Sequence, residues 1–274
     1  MVYIGQAIIV LVVFIALFPD VIASHNPMYM DREAILKPPS LEHWMGTDNY
    51  GRDVFSRVIW GTRINLLIGI GGMLIPFISG AILGLLAGYY GGFIDTILMR
   101  ILDIVLAFPS MLLIISIIAI MGTGIINLLI AIWLVAWRDY ARLVRSEVMV
   151  AKVSDYVMSA RLLGYSNARI IRVHIMPNVI NSSISFASAD IVMCMIFGAS
   201  MSFIGLGISP PTPEWGSIIA GGLPFLPKAW WICILPGLVM MVVGIGFSLV
   251  ADGIADKVRK PRFTDYKKRQ NNNE

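Results

Sequence analysis

Few side chains in this 274-residue chain could do chemistry, and their spacing argues against bond-making. The histidines His25, His43 and His174 are divided between two different loops, on opposite membrane faces by the topology that the charges predict, so a three-histidine metal site is not expected. Cys194 and Cys233 stand inside apolar runs, with neither a disulfide framework nor a metal pattern, and read as packing residues. No G-x-x-x-x-G-K-S/T run is present to cradle ATP phosphates, and neither a nucleophile elbow nor an H-E-x-x-H pair is found. No catalytic or metal-binding residue is therefore expected, and any ATP hydrolysis belongs to another subunit. Asp190 differs, because a carboxylate inside a long apolar run is costly to expose to lipid and should face protein or a wet cavity. It is a candidate for a solute pathway, or else a buried hydrogen-bond partner of a neighbouring helix, Ser185 or Ser188. Asp48, Arg52, Asp53 and Arg57 form a second charged group, which suits either a hydrogen-bonded turn or contact with an external protein.

The elements that must position these groups are membrane helices. The chain is 57% hydrophobic and 14% charged, with a mean hydropathy of +0.79, whereas soluble domains carry about 25% charged residues. The net charge of +4 could suggest nucleic acid, but the basic residues cluster beside apolar runs, so no nucleic-acid partner is expected. A span needs about 20 apolar residues, and about six candidates fit: 2–18, 64–88, 97–120, 125–144, 180–203 and 230–250. The first is short, but no Lys or Arg precedes it, which favours a retained helix over a signal peptide. Of 21 basic residues, fourteen fall in 138–172 and the C-terminal tail. Both regions should face the cytoplasm, with both termini. The expectation is one membrane domain over 1–274, with an outer loop at 20–62, a cytoplasmic loop at 145–179 and a cytoplasmic tail at 251–274 whose KKRQNNNE end frays.

Within the cytoplasmic loop, residues 155–178 are too polar to cross a bilayer. Val153, Val157, Ala160 and Gly164 recur at helical spacing as a narrow small-residue face, while Lys152, Asp155 and Arg161 keep the rest wet. Gly164 suits a left-handed helix end, Ser166 or Asn167 can cap the next helix, and Pro177 should stop it. The prediction is two short helices at an angle. Elsewhere, Gly80, Gly84 and Gly88 line one helix face as a close-packing seam. Arg100 and Asp103 could pair three residues apart. Pro210, Pro211 and Pro213 stiffen an outer loop in which Glu214 and Trp215 could serve as anchors.

The spacing of Ser159, Ala160, Gly164 and Pro177 resembles the loop through which ABC importer permeases dock onto their ATPases. HWMGTDNYGRDVFSRVIWGTR (43–63) is similar to the GTDxxGRDxxSR signature of the C-type permeases of the dipeptide, oligopeptide and nickel family. Asp95 with LMRILDIVLAFPS (98–110), and SFIGLGISPPTPEWG (202–216), resemble the same family. Met158, His174 and Met176 depart from the wider importer pattern and resemble peptide-type permeases. The resemblance implies an all-α membrane protein with about six transmembrane helices and a helix-turn-helix docking loop. It implies a B-type partner permease, two ATP-binding subunits that hold ATP and Mg, an extracytoplasmic substrate-binding protein, and a bacterial or archaeal plasma membrane. Docking would use Tyr156, Ser159, Ala160, Arg161, Gly164 and Pro177. Binding-protein contact would use Asp48, Arg52, Asp53, Glu214 and Trp215. The cargo stays open among dipeptides, longer peptides, glutathione, and nickel or metallophore chelates. The alternative, an ion-coupled secondary transporter, would want an inverted repeat with partnered carboxylates, and the sequence offers neither a repeat nor a partnered set beyond the lone Asp190.

Overall fold

A computed structural model describes the backbone of residues 2–271 and the side chains of residues 2–256, so the basic side chains of the tail lie outside the described residues. The regular elements among the described residues are all helical, and their sole ladder contact is an isolated bridge between Thr47 and Asp53. In order come α1 (Val2–Leu17), α2 (Pro19–Ile22), a long loop, α3 (Val54–Tyr90), α4 (Gly92–Leu106), α5 (Ser110–Met121) and α6 (Ile125–Ala151). These are followed by α7 (Asp155–Leu162), α8 (Asn167–Arg169), α9 (Met176–Phe203), α10 (Trp215–Gly222) and α11 (Trp231–Asn271).

By length and apolar composition, three helices suffice to cross a membrane, Val54–Tyr90, Asn167–Phe203 and Trp231–Asp256, or four if α4 and α5 make one span. The six predicted spans are therefore not all alike. α1 has 16 residues, short of the roughly 20 that a perpendicular crossing uses. α6 carries Arg138, Asp139 and Arg142 inside the span expected over 125–144. The expected continuous helix over 97–120 is instead bent by 85° between α4 and α5. Pro109 lacks an N–H and disfavours helical backbone at Phe108, so the ladder breaks there. Arg138 of α6, buried, donates to the Val105 carbonyl at 3.0 Å and to the Ser110 hydroxyl. It thereby places a positive charge where the α4 carbonyls are orphaned, a stabilising arrangement at a helix C-terminus.

α3 is the central post. Its 37 residues extend about 55 Å at 1.5 Å per residue, well beyond a hydrocarbon core of about 30 Å. Gly80, Gly84 and Gly88 lie directly against α6, and an added Cβ would fall on the carbonyl oxygens of Trp137, Ala141 and Arg145 respectively. The glycine ridge is thus a seam within this chain. The core divides by depth. Val12, Val58, Trp215, Trp231 and Phe247 pack at the end near the long loop. Ile68, Ile118, Ile132, Cys194 and Met201 fill the middle. Tyr89, Val148, Val157, Ala160 and Ile175 close the end under α7.

Candidate functional site

α7 ends as its sequence requires. Gly164 has φ +76°, its N–H donates to the Arg161 carbonyl at 2.9 Å, and the Tyr165 N–H donates to the Ala160 carbonyl at 3.2 Å. This paired closure needs a left-handed residue, which glycine supplies without Cβ strain. Ser166 then caps α8, its hydroxyl accepting from the Arg169 N–H at 3.4 Å. Asn167 instead accepts from the Tyr89 hydroxyl at 2.7 Å, tying the turn to the end of α3.

The face of α7 does not divide as the spacing predicts. Val157 and Ala160 are buried in the cluster that also holds Tyr89, Val148 and Ile175, with α7 packed chiefly on the Ile170–Ile175 turn, while Val153 and Gly164 are exposed. Ala160 therefore belongs to the chain's own core rather than to an open face. The exposed set is Tyr156, Met158, Ser159, Arg161, Leu162, Leu163 and Gly164. Leu162 is 90% exposed and Leu163 is 72% exposed. Apolar side chains so presented beside a polar turn suit contact with another protein.

Pro177 does not stop the second helix. The chain runs on from Asn167 to Phe203, with a π-helical turn at Ile170–Ile175 just ahead of Pro177. A wider turn at this point spares the proline ring its clash with the preceding carbonyl, and α9 takes Pro177 in its first turn, where no N–H is needed. The turn at Gly164 is consequently continuous with the helix that carries Asp190.

On α9, Asp190 Oδ2 accepts from the Tyr140 hydroxyl of α6 at 2.8 Å. Neither Ser185 nor Ser188 takes that role, since the Ser188 hydroxyl donates to the Ile184 carbonyl. Asp190 also borders a cavity of about 40 Å³ lined by Ser110, Arg138, Asp139 and Cys194 among others. Arg138, counted with the loop charges in the sequence, is buried at the α4–α5 bend beside this cavity. Only its spacing on an amphipathic helix could have disclosed that. At the other end of α6, Arg145 makes a two-pronged ion pair with Asp95, with Nη2 to Oδ2 at 2.7 Å. Arg100 and Asp103 are exposed and do not pair with each other.

The long loop before α3 holds the other predicted residues beneath its surface. Asp48 accepts from Arg52 Nε at 2.7 Å and from the Tyr50 N–H at 2.8 Å. Asp53 caps α3 by accepting from the Ser56 N–H at 2.7 Å. Arg57 reaches the Pro27 carbonyl at 3.1 Å. Glu214 caps α10, accepting from the Gly216 and Ser217 N–H groups at 2.8 Å each. Burial pushes its carboxyl above the usual carboxylate range, against the pull of those backbone donors. Trp215 is fully buried and donates to the Val58 carbonyl at 3.0 Å. Asp48, Arg52, Asp53, Glu214 and Trp215 are thus all buried, their polar groups engaged within the chain. They shape the loop from below, and Trp44 and Tyr50 stand exposed above them.

Membrane-length helices, a glycine seam and a polar turn with exposed leucines suit a subunit that works within a membrane. A family model described as "Binding-protein-dependent transport system inner membrane component" matches residues 80–260, and the chain belongs to that family. It is 39% identical over 263 residues to the di/tripeptide transport system permease protein DppC of Pseudomonas aeruginosa, with 92% of this chain and 85% of that protein covered. It is 42% identical over 228 residues to the glutathione transport system permease protein GsiD of Pectobacterium atrosepticum, covering 83% of this chain and 76% of that one. Its fold matches a chain of the inward-facing MetNI methionine ABC transporter with a TM-score of 0.60 and 15% identity, over 74% of this chain and 96% of that chain. The protein is a permease subunit of an ABC importer, and the secondary-transporter alternative falls. Such permeases work in general with a partner permease, separate ATPases and a substrate-binding protein.

Proposed function

We propose that this chain is the C-type half of the translocation path of a short-peptide importer, in which α7 and its glycine turn receive the motion of a cytoplasmic ATPase. The observation that carries this reading is mechanical. The turn is tied to α3 by the bond from Tyr89 to Asn167, with Val157 and Ala160 buried in the core beside it, it exposes Tyr156, Leu162 and Leu163, and it runs directly into the helix bearing Asp190. A push on the exposed face would tilt one continuous rod, with the π turn at Ile170–Ile175 as its joint. Alternating access also demands that the docking contacts differ between states.

In this reading the chain crosses an inner membrane six times with both termini cytoplasmic, and the loop over 20–62 faces the substrate-binding protein through its exposed Trp44 and Tyr50. Asp190, beside its small cavity, lines the path shared with a B-type partner. ATP and Mg belong to two separate ATPase subunits. The names of the relatives favour dipeptides, tripeptides and glutathione as cargo.

Gly164→Val tests the coupling. No atom lies within 4 Å of a Cβ added there, so the cost is backbone strain of about 1–2 kcal/mol in a left-handed residue. The reconstituted importer should assemble but lose substrate-stimulated ATP hydrolysis and uptake of labelled dipeptide or glutathione. Normal stimulation with normal uptake would remove the docking assignment.

A further inference from the structure

The loop between α1 and α3 gathers two imidazoles and a carboxylate that serve no purpose in transport as described above. One ligating atom from each of His25, His43 and Asp53 lies within 4.8 Å of the others. His43 Nδ1 is 2.9 Å from Asp53 Oδ1, and His25 Nδ1 is 3.9 Å from the same oxygen. We propose that these residues form a binding site for one divalent cation of the zinc class, which ties the two ends of the loop to the start of α3.

The support of each ligand fits such a site. Asp53 uses its other oxygen, Oδ2, to cap α3 through the Ser56 N–H at 2.7 Å, which fixes the carboxylate plane and leaves Oδ1 for the ion. His43 is 7% exposed, and its backbone N–H is held by the Ser40 hydroxyl at 3.0 Å. The His25 backbone N–H donates to the Ser56 hydroxyl at 3.0 Å, so the first turn of α3 positions both His25 and Asp53. A hydrogen bond between His43 and Asp53 would explain those two residues alone. It leaves out His25, which is 3.9 Å from Asp53 and too far for such a bond, has its Nδ1 3.0 Å from the exposed Ser24 hydroxyl, and lies with its ring 4.8 Å from that of His43.

Zinc binds nitrogen and carboxylate oxygen at about 2.0–2.2 Å, so tetrahedral ligands stand about 3.3 Å apart. The His43 to Asp53 separation must open slightly, the His25 to Asp53 separation must shorten by about half an ångström, and the two imidazole nitrogens, within 4.8 Å of each other, must close by up to about 1.5 Å. The His25 ring, 36% exposed on its side chain, is the one free to make that movement. To ligate through Nδ1, His43 must be the neutral tautomer that carries its one proton on Nε2, so the ion replaces the contact between Nδ1 and Asp53. Two imidazoles select against magnesium and calcium, which take oxygen ligands, and suit zinc, copper, nickel or cobalt. Three protein ligands leave one position for water. A cavity of about 420 Å³ beside His25, lined also by Asp20, Asn26 and Trp60, provides the entry path.

The test is Zn²⁺ titrated into the untagged importer complex in nanodiscs, read by equilibrium dialysis and by melting temperature, with Co²⁺ absorption as an independent report of ligand type. Removing an outer-sphere partner weakens metal binding by about 10–100-fold, so loss of a direct ligand in His25→Ala should weaken the affinity by at least about a hundredfold. Because His25 is at the surface, that variant should melt normally without metal, whereas His43→Ala also breaks the bond to Asp53. Zn²⁺ should raise the melting temperature of the wild type and not of His25→Ala. A wild-type complex that binds no Zn²⁺, or a His25→Ala complex that binds it as tightly and with the same Co²⁺ spectrum, would overturn the site.

Discussion

Replacing each partner of the Tyr140 to Asp190 bond in turn separates a transport role for Asp190 from a packing role. Tyr140 is fully buried, and its hydroxyl donates to Asp190 Oδ2 at 2.8 Å. Tyr140→Phe removes the donor and keeps the carboxylate, so it forfeits one hydrogen bond to a charged group, about 2 kcal/mol. In folded chains of 150–250 residues each kcal/mol moves the melting temperature by about 2–4 °C, which gives a fall of about 4–8 °C. Asp190→Asn keeps an amide oxygen that can still accept from Tyr140, so it weakens the bond only to a neutral one, a loss of about 1 kcal/mol. A packing role therefore makes Tyr140→Phe the more damaging change in stability, with uptake following stability in both variants. A pathway role reverses the order for transport. Asp190→Asn, though the more stable variant, should lose most uptake or shift cargo preference while basal ATP hydrolysis persists, and Tyr140→Phe should still transport. Both variants should be measured in the same reconstituted complex, by labelled-peptide uptake and by thermal unfolding. Normal uptake in Asp190→Asn would refute the pathway role and leave Asp190 as a packing residue.

The α4–α5 bend rests on Arg138 as well as on Pro109, so Arg138→Leu, which orphans the Val105 carbonyl and the Ser110 hydroxyl, should cost about 3 kcal/mol or more. An unchanged melting temperature would leave the bend to the proline alone. Glu214→Ala strips two backbone caps from α10 and should cost about 0.5–2 kcal/mol, whereas Glu214→Gln, which keeps one acceptor, should cost less. Equal losses in thermal unfolding would show that the cap contributes nothing. For orientation, after Cys194 and Cys233 are replaced by Ala, a cysteine at exposed Ser166 should react with impermeant thiol reagents only from the cytoplasmic side, and one at exposed Ser209 only from the other. Labelling from the reversed sides would invert the proposed topology.

What could be read in advance follows from which residues act locally. Gly164 marks a left-handed helix end because only its own backbone sets that requirement, and its φ of +76° follows. The spacing of Gly80, Gly84 and Gly88 likewise foretells a seam, although the partner, α6, is known only from the packing. Pro109 and Pro177 show where local rules diverge. Both are capable of ending a helix, yet the chain bends by 85° at the first, where Arg138 stabilises the exposed helix end, and continues through the second, where a π turn absorbs the ring. Tertiary context decided between them. The charged loop residues were the hardest to place, because Asp48, Asp53 and Glu214 look like a solvent-facing set in sequence and become, once folded, a buried turn acceptor and two buried helix caps. A carboxylate beside an incipient helix N-terminus, as in GRDVFS and PEWGS, is the sequence signal for that burial. His25 and His43 carried no such signal, since their meeting with Asp53 depends on how the whole loop folds back on the first turn of α3.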